Sequence, residues 1–489
     1  MILAGGHQWN IHFQRRSAGI PVRSTIALET LPDYPSNHLR ELGRCRIQEC
    51  PRRGRTNLIG LFIVMLLLGF GGAAWSQEAI RMSLASADAA AARRRAVSTF
   101  GYYNLRLGPT AWRFGAGLGL EYNDNVQLQQ ENPLNDFIFR PHIEAQMLWP
   151  VTEKNAINLS LGCGYAAYAH HSDLNRLYVT PGSELSFDLY LGDLWVNVHD
   201  RFSIIEDSYQ DPTVAGTGNY SRLQNALGLA ATWDLNKVLV RAGYDHVDYL
   251  AFSGNNQQPD GQSELVSTSI GYNLKPGLLA GAELGGGLLH YSGPSAFFRD
   301  AKQWNAGMFL EAELSQYLRL RGSVGYTDYA PDNRQFTSFF IMGTNVVVAT
   351  NSITDFTGIY GQVDLQHQLN RFVAYTLSAG RTINFGFYAN SVDLIFIRLL
   401  TNWRIVRKVT IGTSFDFETG SEGIFFNTRN GAGRLPETFN RYGGRLTVGR
   451  GITAKASASL SYQFFWRNSN LPGRSYTDNI VSLNFNYRF

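Results

Sequence analysis

Charged residues are scarce in this sequence, and so is cysteine. Asp, Glu, Lys and Arg make up 17% of the 489 residues, against roughly 25% in a typical soluble domain. Of the three cysteines, Cys45 and Cys50 precede an apolar segment that we expect to be removed, so only Cys163 would remain. One thiol cannot form an internal disulfide, which excludes a disulfide-stabilised secreted scaffold.

Most of the chain also lacks an excess of charge of either sign. Nine arginines and four acidic residues lie before Gln77, out of 43 basic and 39 acidic residues in all. The rest of the chain therefore carries 34 basic and 35 acidic residues, which is close to neutrality. No basic stripe indicates a nucleic-acid partner, and we expect none.

The apolar runs are shorter than the ~20 residues that a membrane-spanning helix needs. The longest extends from Leu58 to Phe70, follows three arginines and leads to Ala74-Trp75-Ser76. This order of charged, apolar and small residues predicts a signal peptide over residues 51–76, cleaved between Ser76 and Gln77. A single membrane-spanning helix is the alternative. Residues 1–50 show no sustained period and are interpreted as an unassigned leader or as the product of a misassigned start.

Glycine and aromatic residues are abundant, at 49 glycines and 13% aromatics. From Ala111 to the end, apolar and polar residues alternate with a period of two, and no window predicts an amphipathic helix. Residues 111–489 are therefore predicted to form one all-β domain. The short periplasmic segment before it, residues 77–110, fits a helix or a flexible tail equally well.

Connections of two lengths alternate along the predicted domain. Eight tight turns and nine longer polar segments join 18 strands. Short turns on one side and long loops on the other are typical of bacterial outer-membrane barrels, and in lipid the sheet has to close. We predict a transmembrane antiparallel up-and-down β-barrel of about 18 strands, with 16 as the alternative. The predicted tight turns are 150–155, 192–193, 236–237, 276–277, 315–317, 370–371, 406–408 and 453–455, and the longer segments include 123–136, 210–219, 253–262, 330–351, 420–438 and 468–477.

The polar positions of the strands supply candidates for the lumen of such a barrel. A two-residue turn at Gly192-Asp193 pairs Leu191 with Leu194 and places Glu184 opposite Arg201. The candidate residues carry charges of both signs. This fits a pore whose charges bias the passage of solutes, and it fits equally well an interior in which the charges only neutralise one another. The lumen-lining candidates are Glu184, Asp188, Arg201, Glu311, Glu313, Arg319, Arg321, Arg398, Arg404, Asp416, Glu418, Arg441 and Arg445.

Motifs that would indicate catalysis or metal binding are weak. His170-His171 could supply metal ligands or part of a hydrolase site, but adjacent residues of a strand point to opposite faces. No serine nucleophile elbow occurs, and the Gly-rich residues 115–119 are not followed by a helix that would complete a phosphate site. We therefore expect no enzyme, with no catalytic residue, no metal site and no cofactor.

The end of the chain resembles a known signal. Apolar residues alternate with polar ones from Val481 and the sequence closes on Phe489. This stretch resembles the C-terminal signal of bacterial outer-membrane barrels, in which Phe485, Tyr487 and Phe489 would be read by the barrel-assembly machinery. The resemblance implies the outer membrane of a Gram-negative bacterium.

The opening of the predicted barrel resembles a family. Tyr103–Pro109, followed by the sequence GAGLGLEYNDNV from Gly115 to Val126, is similar to the putative β-barrel porin 2 family. In such proteins an acid/amide pair ends the first strand, and the corresponding residues here are Asp124 and Asn125. The resemblance implies a barrel and gives no substrate.

These observations predict a porin-like barrel that allows passive diffusion of small hydrophilic solutes. The expected partners are outer-membrane lipid and lipopolysaccharide, the barrel-assembly machinery and those solutes, and a homo-oligomer is left open. One alternative is an outer-membrane component associated with exopolysaccharide export, which rests on the resembling group alone. Another is a closed structural or adhesive barrel, with its lumen filled by residues 330–351 or 77–110.

Overall fold

The computed structural model describes residues 103–489 apart from 206, 219–220, 253–259, 293–299, 333–355, 385–391, 407 and 429–430. The leader, the signal segment with Ala74 and Ser76, and residues 77–102 lie outside the described residues. Among the residues that are described, no helix is both long enough and apolar enough to cross a membrane.

The described part of the chain forms strands joined by turns and loops, with two short 3-10 helices at Ser172–Leu174 and Ser208–Gln210. The strands are β1 (Leu105–Leu107), β2 (Thr110–Asn123), β3 (Asp136–Pro150), β4 (Ala156–Tyr168), β5 (Arg176–Leu191), β6 (Leu194–Ile205), β7 (Arg222–Asp234), β8 (Val238–Ala251), β9 (Asp260–Lys275), β10 (Leu278–Ser292), β11 (Ala301–Ser315), β12 (Leu318–Pro331), β13 (Phe356–Gln368), β14 (Val373–Asn384), β15 (Val392–Val406), β16 (Val409–Thr428), β17 (Gly431–Gly451), β18 (Ala456–Ser469) and β19 (Tyr476–Arg488).

The sheet is closed. Each strand from β2 to β18 pairs antiparallel with the next along the chain, and β19 pairs back with β2, from Ile480 opposite Asn123 to Arg488 opposite Gly115. These strands form the predicted 18-stranded antiparallel barrel. The three-residue β1 is additional and pairs with the turn-side end of β2, where Leu105 lies opposite Trp112.

The two sides of the barrel have connections of different length. On one side, here called the turn side, two to five residues join the strands, at all eight predicted places. Gly192 and Gly277 lie in two of these turns with φ of +63° and +78°, a backbone conformation that favours glycine. The loop side carries the longer connections, such as 124–135 and 332–355.

One predicted loop is wrong. Residues 420–438 were expected to be a long polar connection, but β16 continues to Thr428 and β17 begins at Gly431 in direct register. A hairpin satisfies backbone N–H and C=O groups that an irregular loop of this length would leave to water. β15 reaches only Glu422 and β18 begins its pairing at Phe439, so the hairpin projects beyond its neighbours.

Side chains alternate between an outer and an inner face. On β19, Val481, Leu483 and Phe485 are 43%, 47% and 44% exposed on the outer face, whereas Asp478 and Ile480 on the inner face are fully buried. An apolar outer face matches the hydrocarbon of a bilayer. Exposed aromatic side chains near the strand ends include Trp149, Trp233, Tyr317 and Trp403 on the turn side and Trp466 on the loop side.

Glycines on the inner face let one aromatic side chain lie along the wall. The hydroxyl of Tyr360 on β13 donates to Glu283 on β10 at 2.7 Å, although two strands lie between them. Its path crosses Gly325 on β12 and Gly307 on β11, where an added Cβ would overlap the Tyr360 hydroxyl. The absence of a Cβ at these two positions is what permits the contact.

Candidate functional site

The first group of predicted lumen residues lies where β5 and β6 pair. Glu184 lies opposite Arg201, which confirms the predicted register, and Arg201 Nε is 3.5 Å from Glu184 Oε2. Asp188 accepts hydrogen bonds from Trp195 Nε1 at 3.1 Å and Asn197 Nδ2 at 2.9 Å. Both carboxylates are thus held in the inner wall by side chains of the neighbouring strand.

The second group lies on β11 and β12. The register places Glu311 opposite Arg321 and Glu313 opposite Arg319, with ion-pair distances of 3.7 and 3.0 Å. Arg241 on β8 also binds Glu311 through both terminal nitrogens, at 3.0 and 3.3 Å. Arg319 and Glu313 are about half exposed, so this pair is solvated and screened by salt.

The third group spans β15 to β17. Glu418 accepts from Arg398 at 2.6 Å and from Arg441 at 2.9 Å, so one carboxylate joins two guanidinium groups. Asp416 lies 3.6 Å from Arg398. Arg445 donates to Gln463 on β18. The remaining predicted residue, Arg404, is exposed at the turn-side end of β15.

The lumen-lining candidates all lie on the strand face opposite the exposed apolar residues. The structure therefore brings the oppositely charged members together in pairs along the inner wall. Their role in lining a conducting passage stays a prediction.

An element that the sequence analysis missed crosses the interior. Residues 207–218, here called the strap, lie between β6 and β7 and include most of the polar connection predicted at 210–219. Arg441 on β17 donates to the Tyr209 carbonyl, Arg467 Nε on β18 to the Pro212 carbonyl at 3.1 Å, and Arg474 Nη2 to the Thr213 carbonyl at 2.9 Å. β17 lies seven strand positions from β6 around the closed sheet, so the strap reaches the opposite wall.

The arginines that hold the strap are themselves fixed by carboxylates. Glu437 on β17 accepts from Arg467 Nη1 at 2.9 Å and from Arg474 Nε at 2.7 Å, and the Arg467 and Glu437 side chains are fully buried. Glu418 plays the same part for Arg441. Bidentate and shared carboxylates fix the direction of a guanidinium group, which leaves its other nitrogens aimed at the strap.

Both ends of the strap are tied to the wall near its origin. Asp207 Oδ1 is 2.7 Å from Arg140 Nη2 on β3, and the same nitrogen is 3.3 Å from Glu121 on β2. At the other end, Arg176 Nη2 on β5 donates to the Gly218 carbonyl at 2.9 Å. The strap is therefore held along its length by hydrogen bonds to several strands.

Apolar packing seats the middle of the strap. Tyr209, Val214 and Ala215 are buried against Tyr476 and Ile480 of β19 and against Leu128 of the β2–β3 loop. The Tyr209 ring also stacks on Phe465 at 5.6 Å between centroids. Burial, together with the Asp207 carboxylate, raises the pKa of Tyr209 well above its ordinary value. The sequence signal was weak, because a Val-Ala pair in a polar segment does not reveal which wall it contacts.

The expectation that His170 and His171 point to opposite faces is wrong. β4 ends at Tyr168, so the two residues belong to a loop and not to a strand. His170 Nδ1 and His171 Nδ1 lie 3.1 and 2.9 Å from the two oxygens of Asp136, at the start of β3. Within the described ranges, no group of three or more His, Cys, Asp or Glu side chains is placed to hold a metal ion.

Several solved bacterial structures are similar to this chain, and one of them, OpdK, is described as an outer membrane protein. Pseudomonas aeruginosa OccK2 (OpdF) is 8% identical with a TM-score of 0.42, over 77% of this chain and 98% of that one. P. aeruginosa OpdK is 11% identical with a TM-score of 0.40 over the same shares of the two chains. Acinetobacter baumannii OccAB3 is 11% identical with a TM-score of 0.40, over 77% of this chain and 99% of that one. No curated protein matches the sequence.

One protein family matches the chain directly. The family described as "Putative beta-barrel porin 2" matches residues 113–380, which is more than half of the sequence and runs from β2 into β14. Its description names a porin, and the interpretation as an export component is not favoured. With a closed 18-stranded barrel and an apolar outer face, this chain belongs to the putative beta-barrel porin 2 family and is a barrel of the bacterial outer membrane.

Proposed function

We propose that this barrel is a passive, non-enzymatic channel for small hydrophilic solutes. The observation that carries the proposal is the inner wall, where the strands of a closed barrel present pairs of opposite charge. A barrel of this circumference leaves an aqueous passage unless an element fills it. The strap occupies part of the cross-section near the loop side.

We infer that the lumen candidates divide into two roles. The exposed pair of Arg319 and Glu313, with the partly exposed Arg321 nearby, would meet passing solutes and bias their charge. Arg441 and Glu418 are nearly buried and hold the strap. They would shape the passage without contacting the solute.

We infer further that the mature protein begins at Gln77, after cleavage behind Ser76. The outward aromatic residues Phe485, Tyr487 and Phe489 would be read by the assembly machinery, and lipopolysaccharide would surround the loop-side half. The intact mass of protein purified from outer membranes tests the cleavage site. A mass that includes residues 51–76 would contradict it.

Conductance in a planar bilayer tests the channel. The protein expressed from the full sequence is purified from outer membranes, and the same detergent without protein is the control. Reproducible steps that the control lacks are expected. An inserted barrel that stays silent would contradict an open channel and favour a closed structural barrel, the second candidate, which the strap supports.

Charge reversal tests which residues face the solute. Arg321→Glu is expected to shift the reversal potential in a salt gradient toward cations, because charged rings bias ion passage. The reversal potential of Arg404→Glu is measured for comparison. Arg404 is also one of the predicted lumen-lining residues and lies at the exposed turn-side end of β15. Arg441 is unsuited to this test, since reversing its charge would also release the strap. An unchanged reversal potential in Arg321→Glu would exclude this residue from the passage.

A further inference from the structure

The acid/amide pair Asp124 and Asn125 directly follows the first barrel strand. Asn123 is the last residue of β2, and Asp124 and Asn125 follow it. β2 is also the strand that closes the barrel by pairing with β19. The motif therefore stands at the loop-side end of the seam where the first and last barrel strands meet.

Asp124 binds the last strand with both main-chain and side-chain groups. Its carboxylate accepts from the Asn479 amide N–H and from Asn479 Nδ2, each at 2.7 Å. Its own N–H donates to the Asn479 carbonyl at 3.1 Å. These bonds extend the β2–β19 pairing beyond Ile480 opposite Asn123, where the ladder itself ends.

Asn125 joins the seam to the loop that follows. Its Nδ2 donates to the Thr477 carbonyl of β19 at 2.9 Å and to the Gln129 carbonyl at 2.8 Å, and its Oδ1 accepts from the Gln129 N–H at 2.9 Å. Asn123 Oδ1 accepts from the Asn125 N–H at 2.7 Å. The buried Asn125 amide thus closes a tight turn over residues 125–129.

That turn forces Leu128 into an unusual conformation. Its φ is +50°, in a region that residues other than Gly, Asn and Asp rarely adopt. Its N–H donates to the Asn125 carbonyl at 3.0 Å, and its carbonyl accepts from the Gly216 N–H of the strap at 2.8 Å. Its side chain is buried in the same cluster as Val214 and Ala215. Backbone strain of this kind persists where the surroundings enforce it.

We propose that Asp124 and Asn125 are positioning residues for the strap. They touch no solute; they join the two ends of the sheet and hold Leu128 where it docks the strap. One half of the strap's seat, Tyr476 and Ile480, belongs to β19, and the other half, Leu128, follows β2. This apolar seat is complete only when the seam is closed, so closure of the barrel completes the docking of the strap. The effect on permeation rests on the proposed channel function.

Two measurements on full-chain protein from outer membranes separate positioning from plain stability. The first is the single-channel step, together with the largest neutral sugar that enters proteoliposomes. The second is the temperature at which the barrel loses its compact mobility in an SDS gel. Asn125→Ala and Asp124→Ala are compared with Asn370→Ala, which removes an amide oxygen that accepts from the Phe372 and Val373 N–H groups in the β13–β14 turn, on the other side of the barrel.

Asn125→Ala is expected to lose the wild-type step in favour of larger steps and to admit larger sugars. Asp124→Ala is expected to do the same and to lower the gel transition. Asp124→Asn is expected to keep the wild-type step, because an amide oxygen at this position still accepts from the Asn479 N–H. Arg474→Gln, which removes a bond to the strap carbonyl at Thr213, gives the larger steps with the seam bonds intact, and Asn370→Ala keeps the wild-type step.

Two results would overturn the proposal. In the first, Asn125→Ala lowers the gel transition while the step and the sugar cutoff stay at wild-type values, which is a structural role alone. The second result applies if the barrel does not conduct at all. Release of the strap is then measured by cleavage within residues 207–218 with a broad-specificity protease. Equal cleavage of wild type and Asn125→Ala would refute the positioning role, and the failure of the channel would be a separate result.

Discussion

A single buried arginine shows how charge is used inside this barrel. Arg467 is fully buried, forms an ion pair with the equally buried Glu437 at 2.9 Å and lies over the Phe439 ring at 4.1 Å. It also donates to the Pro212 carbonyl of the strap. Removing two charges from water is costly, and only well-formed partners offset that cost. Arg467 therefore belongs to the support of the strap and not to the surface that a solute meets.

Arg467→Met is expected to destabilise the barrel far more than Arg319→Met, its matched control in the exposed pair with Glu313. Removing one partner of a buried pair costs about 3–5 kcal/mol, whereas an exposed pair contributes at most about 1 kcal/mol. Urea unfolding of both variants in detergent, followed by tryptophan fluorescence, measures the difference. Equal midpoints would show that Arg467 is solvated.

Gly307→Ala is expected to displace the Tyr360 hydroxyl from Glu283, because a Cβ at Gly307 would overlap it. Losing a hydrogen bond to a charged group costs roughly 1.5–3 kcal/mol. Gly286→Ala is the control, since a Cβ there would meet nothing closer than the Gln303 carbonyl at 3.7 Å. The same urea unfolding assay measures the loss of stability. A Gly307→Ala barrel as stable as Gly286→Ala would contradict the placement of the Tyr360 side chain along the wall.

At the scale of elements, the β16–β17 hairpin is separable from the barrel. Among the described strands, none pairs with residues 423–436 apart from the hairpin itself. Replacing 424–435 by an Asn-Gly turn between Gly423 and Pro436 should therefore leave the barrel closed. Unchanged gel mobility and recovery from the outer-membrane fraction would support this. Loss of the folded form would show that the hairpin carries contacts the barrel needs.

The strands were predictable from the sequence and the strap was not, for a physical reason. Alternation and turn length are local, so the eight tight turns and the facing of Glu184 and Arg201 followed from spacing alone. The strap is defined by hydrogen bonds from β17, β18 and the β18–β19 loop, more than two hundred residues away. The 420–438 hairpin was missed because its composition is polar and its pairing extends beyond the neighbouring strands.

At the scale of the whole molecule, the outer face decides where the protein can fold. Leu177, Met308, Phe137 and Ile143 are each more than 60% exposed there, which water would not tolerate over so large a surface. The folded protein is expected to need detergent or lipid and to run faster in an SDS gel before heating than after. A monomer that stays in solution without detergent would contradict a membrane barrel.

The strap makes the barrel more than a ring of strands. A closed sheet can flatten, because bending at each strand pair costs little while its hydrogen bonds stay intact. A segment that starts between β6 and β7 and is fastened to β17 and β18 acts as a chord across the circle. It fixes the distance between two opposite walls. The width of the barrel near the loop side is then set by the length of the strap, and the sheet alone no longer determines the shape of the cross-section at that level.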